Sequence, residues 1–212
     1  MNSITSHSVV CNNFVCKDGK ILFENKDPGL TGFLLSVYQH FGWQYPKFFK
    51  MDHLSKLGWL AAEIVLKDVF RTEDYLPWDT AVVLSNANSS LDTDRKYFAS
   101  VKDIPSPSLF VYTLPNIMIG EICIRNNFKG ENAFFLSDSF DPGFIVRYVS
   151  CLMDTDACQA CICGWVELLG EKYMAQLFLV EKREGEMSVA FTSENIDRMI
   201  SARTCQNKMP EK

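Results

Sequence analysis

The segment Phe144-Ile-Val-Arg-Tyr-Val-Ser-Cys-Leu-Met153 is apolar nearly all round, interrupted only by Arg147 and Ser150. Asp141 as N-cap and Pro142 at the first helical position give it a defined helical start. A helix of this kind lies between two layers, because one covering surface leaves the rest of its apolar side in water. Short apolar runs before and after it supply candidates for the layers. Thr80-Ala-Val-Val-Leu-Ser85 and Ala133-Phe-Phe-Leu136 read as buried strands, and Ala157–Leu168 and Tyr173–Glu181 read as two more, joined near Gly170.

Helical segments alternate with these strands. Asp52 can cap a helix running to about Asp68, with Leu54, Leu57, Ala61, Ile64 and Val65 as its buried face. A helix is also expected at Leu30–His40, within a loop-like stretch from Lys17 to Pro46, and another at Leu91–Val101 within a polar loop. Thr113 can cap a further helix that carries Pro115 in its first turn and ends at Asn126-Asn127 and Gly130. Val9–Val15 is a short β-prone stretch. The pattern predicts an α/β layered domain with a mixed sheet, closing in an antiparallel pair. One domain over residues 1–212 is expected, with the core at about 50–181 and a flexible tail at about 200–212.

Composition narrows the function classes. The formal net charge is -5 and no basic block stands out, which argues against a nucleic-acid partner. No apolar run reaches the roughly 18 residues of a membrane span, and Met1–Val10 lacks the features of an export signal. The eight cysteines are therefore expected as free thiols of a cytoplasmic protein. Cys158-Gln-Ala-Cys161-Ile-Cys163 has C-x-x-C spacing, but no second C-x-x-C or H-x-x-H pair completes a zinc site. On one strand, Cys161 and Cys163 share a face and Cys158 takes the other. Small buried apolar residues are the simpler reading, and neither a metal nor a cofactor is expected.

Four segments, in order, resemble the N-terminal half of β-ketoacyl synthases. They are Lys50-Met51-Asp52 with Ala61-Ala62-Glu63 behind it, and Ala81–Ser85. Next comes Leu114-Pro-Asn-Ile-Met-Ile-Gly-Glu-Ile-Cys-Ile-Arg125 followed by Lys129-Gly130-Glu131-Asn132. The last is Asp156–Glu167, ending Gly164-Trp165-Val166-Glu167. The resemblance implies half of a thiolase-like fold, with a mixed five-stranded sheet and helices on both faces. It is nearest to the short ketosynthase-like proteins of aryl-polyene and flexirubin-type clusters, which are thought to act as chain-length-factor-like partners of a full synthase.

In that family a nucleophilic Cys sits on a strained turn between a strand and a helix N-terminus, where the helix dipole favours thiolate. Counting from Gly130, the equivalent position is Ser139, within Ser137-Asp138-Ser139-Phe140-Asp141. A serine there needs a nearby base, and the flanking Asp138 and Asp141 oppose alkoxide formation. The simpler role is a polar residue at a helix start. The family's two His and one Lys come from its C-terminal half, whereas His7, His40 and His53 all lie in the first quarter of this chain.

The resemblance also implies that the Leu114–Arg125 helix lies by a dimer interface and an acyl tunnel. Asn116, Met118, Gly120, Ile122 and Phe134 are then candidates for the acyl pocket or interface, with ordinary core as the plainer role for each. The expected function is a non-catalytic subunit partnering a β-ketoacyl synthase, as a homo- or hetero-dimer, with an acyl carrier protein as a further partner. A Ser139-dependent hydrolase or acyltransferase, and a free-standing carrier-protein binding module, are the alternatives.

Overall fold

The computed structural model describes residues 2–26, 29–183 and 188–201. The expected tail at about 200–212 lies outside them from residue 202 on. Five strands make up the central path of one mixed sheet: β1 (Ser3–Cys11), β4 (Thr80–Asn86), β5 (Asn132–Leu136), β6 (Ala160–Leu169) and β7 (Lys172–Glu181). Three more extend it: β2 (Phe14–Lys17), β3 (Lys20–Glu24) and β8 (Val189–Ala190). The order is β3-β2-β1-β7-β6-β4-β5, with β8 paired to β1. The sheet therefore has eight strands rather than the expected five. The extra hairpins form because Asn12 and Asn13 adopt positive φ between β1 and β2, and Asp18 and Gly19 do so between β2 and β3. Asn, Asp and Gly are the residues that tolerate such turns.

β4 runs parallel to both β5 and β6, and β7 runs antiparallel to its neighbours β6 and β1. Strand alternation divides the core into two layers. Val82 and Leu84 of β4, Ile162 and Val166 of β6, and Leu177 and Leu179 of β7 point to one side. Ala81 and Val83, Cys161 and Cys163, and Phe178 and Val180 point to the other. The first layer packs under α1 (Leu30–His40), α2 (His53–Leu66) and α5 (Asn116–Asn126). Val10, Val15, Leu30, Phe33 and Leu34 belong to it, so the core extends well outside residues 50–181.

The second layer packs under α6 (Pro142–Asp154) and α7 (Ser193–Ser201). Ile145, Val149 and Met153 of α6 face the sheet. Ile196 of α7 is buried in the same layer, with Met199 and Ile200 partly so. The side of α6 that the sequence leaves bare is thus partly covered from within the chain. Helices α3 (Leu91–Ser100) and α4 (Pro107–Val111) complete the fold.

Asp52 caps α2 by accepting the Ser55 N–H at 2.9 Å, and Asp141 caps α6 by accepting that of Phe144 at 2.9 Å, both as expected. Thr113 does not cap α5. Its hydroxyl donates to the Phe110 carbonyl at 2.7 Å and closes the last turn of α4, while Pro115 stands at the α5 N-cap. The polar composition of 101–109 hides α4. Cys158 precedes β6 instead of lying on it, so the alternation argument does not apply to it, and all three thiols share the second layer.

Candidate functional site

The geometry around Ser139 is set by the edge strand β5 and the start of α6. β5 runs parallel to β4 with Val82 opposite Asn132 and Asn86 opposite Leu136. The Ser137 N–H extends that ladder to the Asn86 carbonyl at 3.1 Å. The chain then turns: the Ser137 hydroxyl donates to the Ser139 carbonyl at 2.9 Å, and Asp141 begins α6. Pro142 fits the first helical position because its missing N–H has no acceptor there in any helix. Ser139 is exposed. Among the described residues its hydroxyl has no hydrogen-bond partner, and no base contacts it.

Phe140 anchors the turn. Its ring stacks on Phe178 at 6.4 Å and tilts against Trp165 at 6.1 Å. Phe178 in turn stacks on His7 at 4.9 Å. His7 is buried on β1, and desolvation pushes its pKa down to about 4, so the ring is neutral. Gln176 Nε2 lies 3.2 Å from His7 Nε2 and donates to it.

Beside the turn is a cavity of about 340 Å³ lined by Ser85, Phe135, Leu136, Ser137, Asp141, Phe144 and Ile145. Phe135 meets Phe144 and Tyr148 edge-on at 4.8 and 4.9 Å, which makes one wall aromatic. The Ser85 hydroxyl donates to the Gly164 carbonyl at 3.1 Å and pins the neighbouring strand end. Gly164 itself has φ +148, and a Cβ there would sit 2.1 Å from the Gln176 carbonyl oxygen. Only glycine allows β6 and β7 to approach this closely. Three residues on, Glu167 accepts the Ala87 N–H at 2.7 Å and the Asn88 amide at 3.0 Å, holding the loop after β4 against the end of β6.

The other candidates lie elsewhere. Met118 and Ile122 of α5 are buried in the first layer. Met118 fits over Gly58 of α2, where a Cβ would stand 2.2 Å from its sulfur. Asn116 is exposed at the start of α5, and Gly120 is half-buried with open space beside it. Phe134 packs against the first layer, on the opposite side of β5 from Phe135. None of the five lines the cavity. The residues that do line it, Phe135, Leu136, Phe144 and Ile145 among them, follow from period-two alternation along β5 once its pairing is known.

The cysteine run has no chemistry on display. Burial pushes the Cys158 thiol up to about 11 and holds Cys161 well above its ordinary value. Both are protonated and act as small apolar residues. Among the described residues no group of His, Cys, Asp and Glu is arranged to hold a metal ion. No helix there is long and apolar enough to cross a membrane.

By sequence the chain matches no protein-family model and no curated relative. Its fold is a mixed α/β fold of the thiolase-like, ketosynthase type. Solved structures of that type superpose on most of it. The ishigamide ketosynthase/chain length factor matches with a TM-score of 0.62 and 16% identity, over 88% of this chain and 63% of that one. A ketosynthase in complex with its chain length factor from Xenorhabdus doucetiae gives 0.55 and 13%, over 87% and 81%. A β-ketoacyl synthase from Burkholderia phymatum STM815 gives 0.58 and 10%, over 86% and 59%. This chain therefore spans a little under two thirds of the first of these.

Proposed function

We propose that this chain is a non-catalytic, chain-length-factor-like subunit that partners a β-ketoacyl synthase in polyketide, aryl-polyene or fatty-acid-type chain building. The observation that carries the reading is the Ser139 turn. A fold shared with ketosynthases and chain length factors presents a hydroxyl where the resemblance to synthases calls for a thiol. Ser139 is exposed, and among the described residues no base contacts its hydroxyl. A serine in this setting stays protonated and is a poor nucleophile. An acyl carrier protein, whose cargo such a pair extends, is the further partner in this reading, and the cytoplasm is its compartment.

The test is affinity capture of the tagged chain from its native cell extract, with mass spectrometry of what is retained. Stoichiometric recovery of a ketosynthase carrying an intact nucleophilic cysteine is the expected result. Recovery without any ketosynthase overturns the reading. The cavity beside Ser139 favours a second reading, a Ser139-dependent hydrolase or acyltransferase, because its aromatic wall suits an acyl chain. Labelling by an acyl-serine probe that disappears in Ser139→Ala is the result that reading requires.

A further inference from the structure

The cavity beside the Ser139 turn has a lining that sorts ligands by charge. Its apolar wall is Phe135, Leu136, Phe144 and Ile145, and its volume is about 340 Å³. A dry apolar cavity of about 150 Å³ takes a benzene ring, so this one holds a larger hydrocarbon body of roughly six to eight carbons. The polar lining residues are Ser85, Ser137 and Asp141. Both hydroxyls are engaged within the chain: Ser85 donates to the Gly164 carbonyl at 3.1 Å and Ser137 to the Ser139 carbonyl at 2.9 Å. Asp141 is engaged on one side alone. Its Oδ1 accepts the Phe144 N–H at 2.9 Å, and among the described residues its Oδ2 has no hydrogen-bond partner.

That carboxylate decides which head group the hydrocarbon body can carry. The N-terminus of α6 attracts anions, but the Asp141 cap already answers it through Phe144. What remains is a carboxylate oxygen on the lining, with Asp138 exposed on the same turn. Among the described residues neither carboxylate belongs to an ion pair. Arg147 is exposed beside Gly143 of α6 and does not line the cavity. A ligand carboxylate placed here meets like charge at close range. An ammonium instead donates a charge-assisted hydrogen bond, about twice as strong as a neutral one.

We infer that this cavity is a binding site for an organic ammonium, with a hydrocarbon body against the aromatic wall and its N–H donors on Asp141 Oδ2. The inference rests on the cavity alone and stands whether or not the chain partners a ketosynthase. It is tested on the purified 212-residue chain with three probes that share one hydrocarbon body: hexylammonium, 1-hexanol and hexanoate. Backbone amide shifts at neutral pH give the affinity and the place of binding, and thermal melts check folding. Hexylammonium is expected to shift the amides of Ser137, Phe144 and Ile145 and to bind about tenfold more tightly than hexanoate, with 1-hexanol between them. Asp141→Asn keeps an oxygen for the helix cap and removes the charge. With an unchanged melt, it should bring hexylammonium and hexanoate within about threefold of each other. On the natural chain, raising the salt from about 0.05 to 0.5 M should narrow the preference in the same direction. Absence of shifts with hexylammonium up to about 20 mM overturns the inference. So does hexanoate binding as tightly as hexylammonium, a preference that survives both Asp141→Asn and high salt, or shifts confined to residues off the lining.

Discussion

At the scale of the residue, His7 and Gly164 show how single side chains hold the Ser139 turn in place. Desolvation lowers the folded pKa of His7 to about 4, against about 6.5 in an unfolded chain. Above pH 6.5 both states are neutral there and no penalty applies. As pH falls from 6.5 towards 4 the unfolded chain takes up a proton that the folded chain refuses, so stability falls. Protonation would also remove the acceptor used by Gln176. At pH 5 the loss is about 2 kcal/mol relative to pH 7.5. Urea unfolding at the two pH values should show this excess loss in the natural chain and not in His7→Gln. Equal losses in both proteins would assign the pH dependence to other groups. Gly164→Ala places a Cβ against the Gln176 carbonyl in a backbone conformation that L residues avoid. Overpacking and backbone strain each cost about 1–3 kcal/mol. A drop of about 3 kcal/mol is expected in the same assay, and a drop under 1 kcal/mol would mean that β6 and β7 can part at no great cost.

At the scale of the element, the site depends on where α6 begins. Asp141→Ala removes the cap while leaving the Pro142 start intact, and is expected to cost about 1 kcal/mol. Hydrogen exchange should quicken first at Phe144 and Ile145. Unchanged exchange there would show that packing alone fixes the helix start. Elements with local signals were legible in the sequence. Asp52 and Asp141 mark helix starts, Gly170 marks the β6–β7 turn, and the helix at Leu30–His40 has the predicted limits. What escaped depended on partners distant in sequence. β1 is long because β7 pairs along its whole length, and β8 exists only because β1 offers it an edge. The site was legible to the same extent. The turn bearing Ser139 follows from its cap and proline, whereas the cavity-facing role of Phe135 and the core-facing role of Phe134 need the β5 register.

At the scale of the whole molecule, two layers of helices enclose one sheet, and the start of α3 and the Ser139 turn meet at the end of β4. The Ser137 N–H bonds to the Asn86 carbonyl, the Asn86 side chain donates to the Ser89 carbonyl at the root of α3, and the Ser90 hydroxyl donates to the Thr113 carbonyl. The β4–α3 junction that Glu167 secures thus adjoins the strand end from which the candidate site departs. Glu167→Gln weakens the bonds to Ala87 and Asn88 from charged to neutral ones, each worth about half as much. It is expected to raise protease cleavage between Ala87 and Ser90 several-fold. Unaltered cleavage would show that the junction holds without the carboxylate.

The place of β1 has a consequence for how the chain is made. This first strand lies between β2 and β7, and Thr5 reaches across to the Leu179 carbonyl at a sequence separation of 174 residues. A ribosome adds about 5–20 residues per second, so β1 is made well before the β7 it pairs with. For many seconds β1 and β2 can only wait as a two-stranded ribbon with Val9, Val10, Phe14 and Val15 uncovered. Until β7 is made, the β1–β2 hairpin lacks its second neighbour and presents an open edge to wrong pairing. Release of a correctly closed sheet depends on the last strands arriving before the first ones find a partner on another nascent chain.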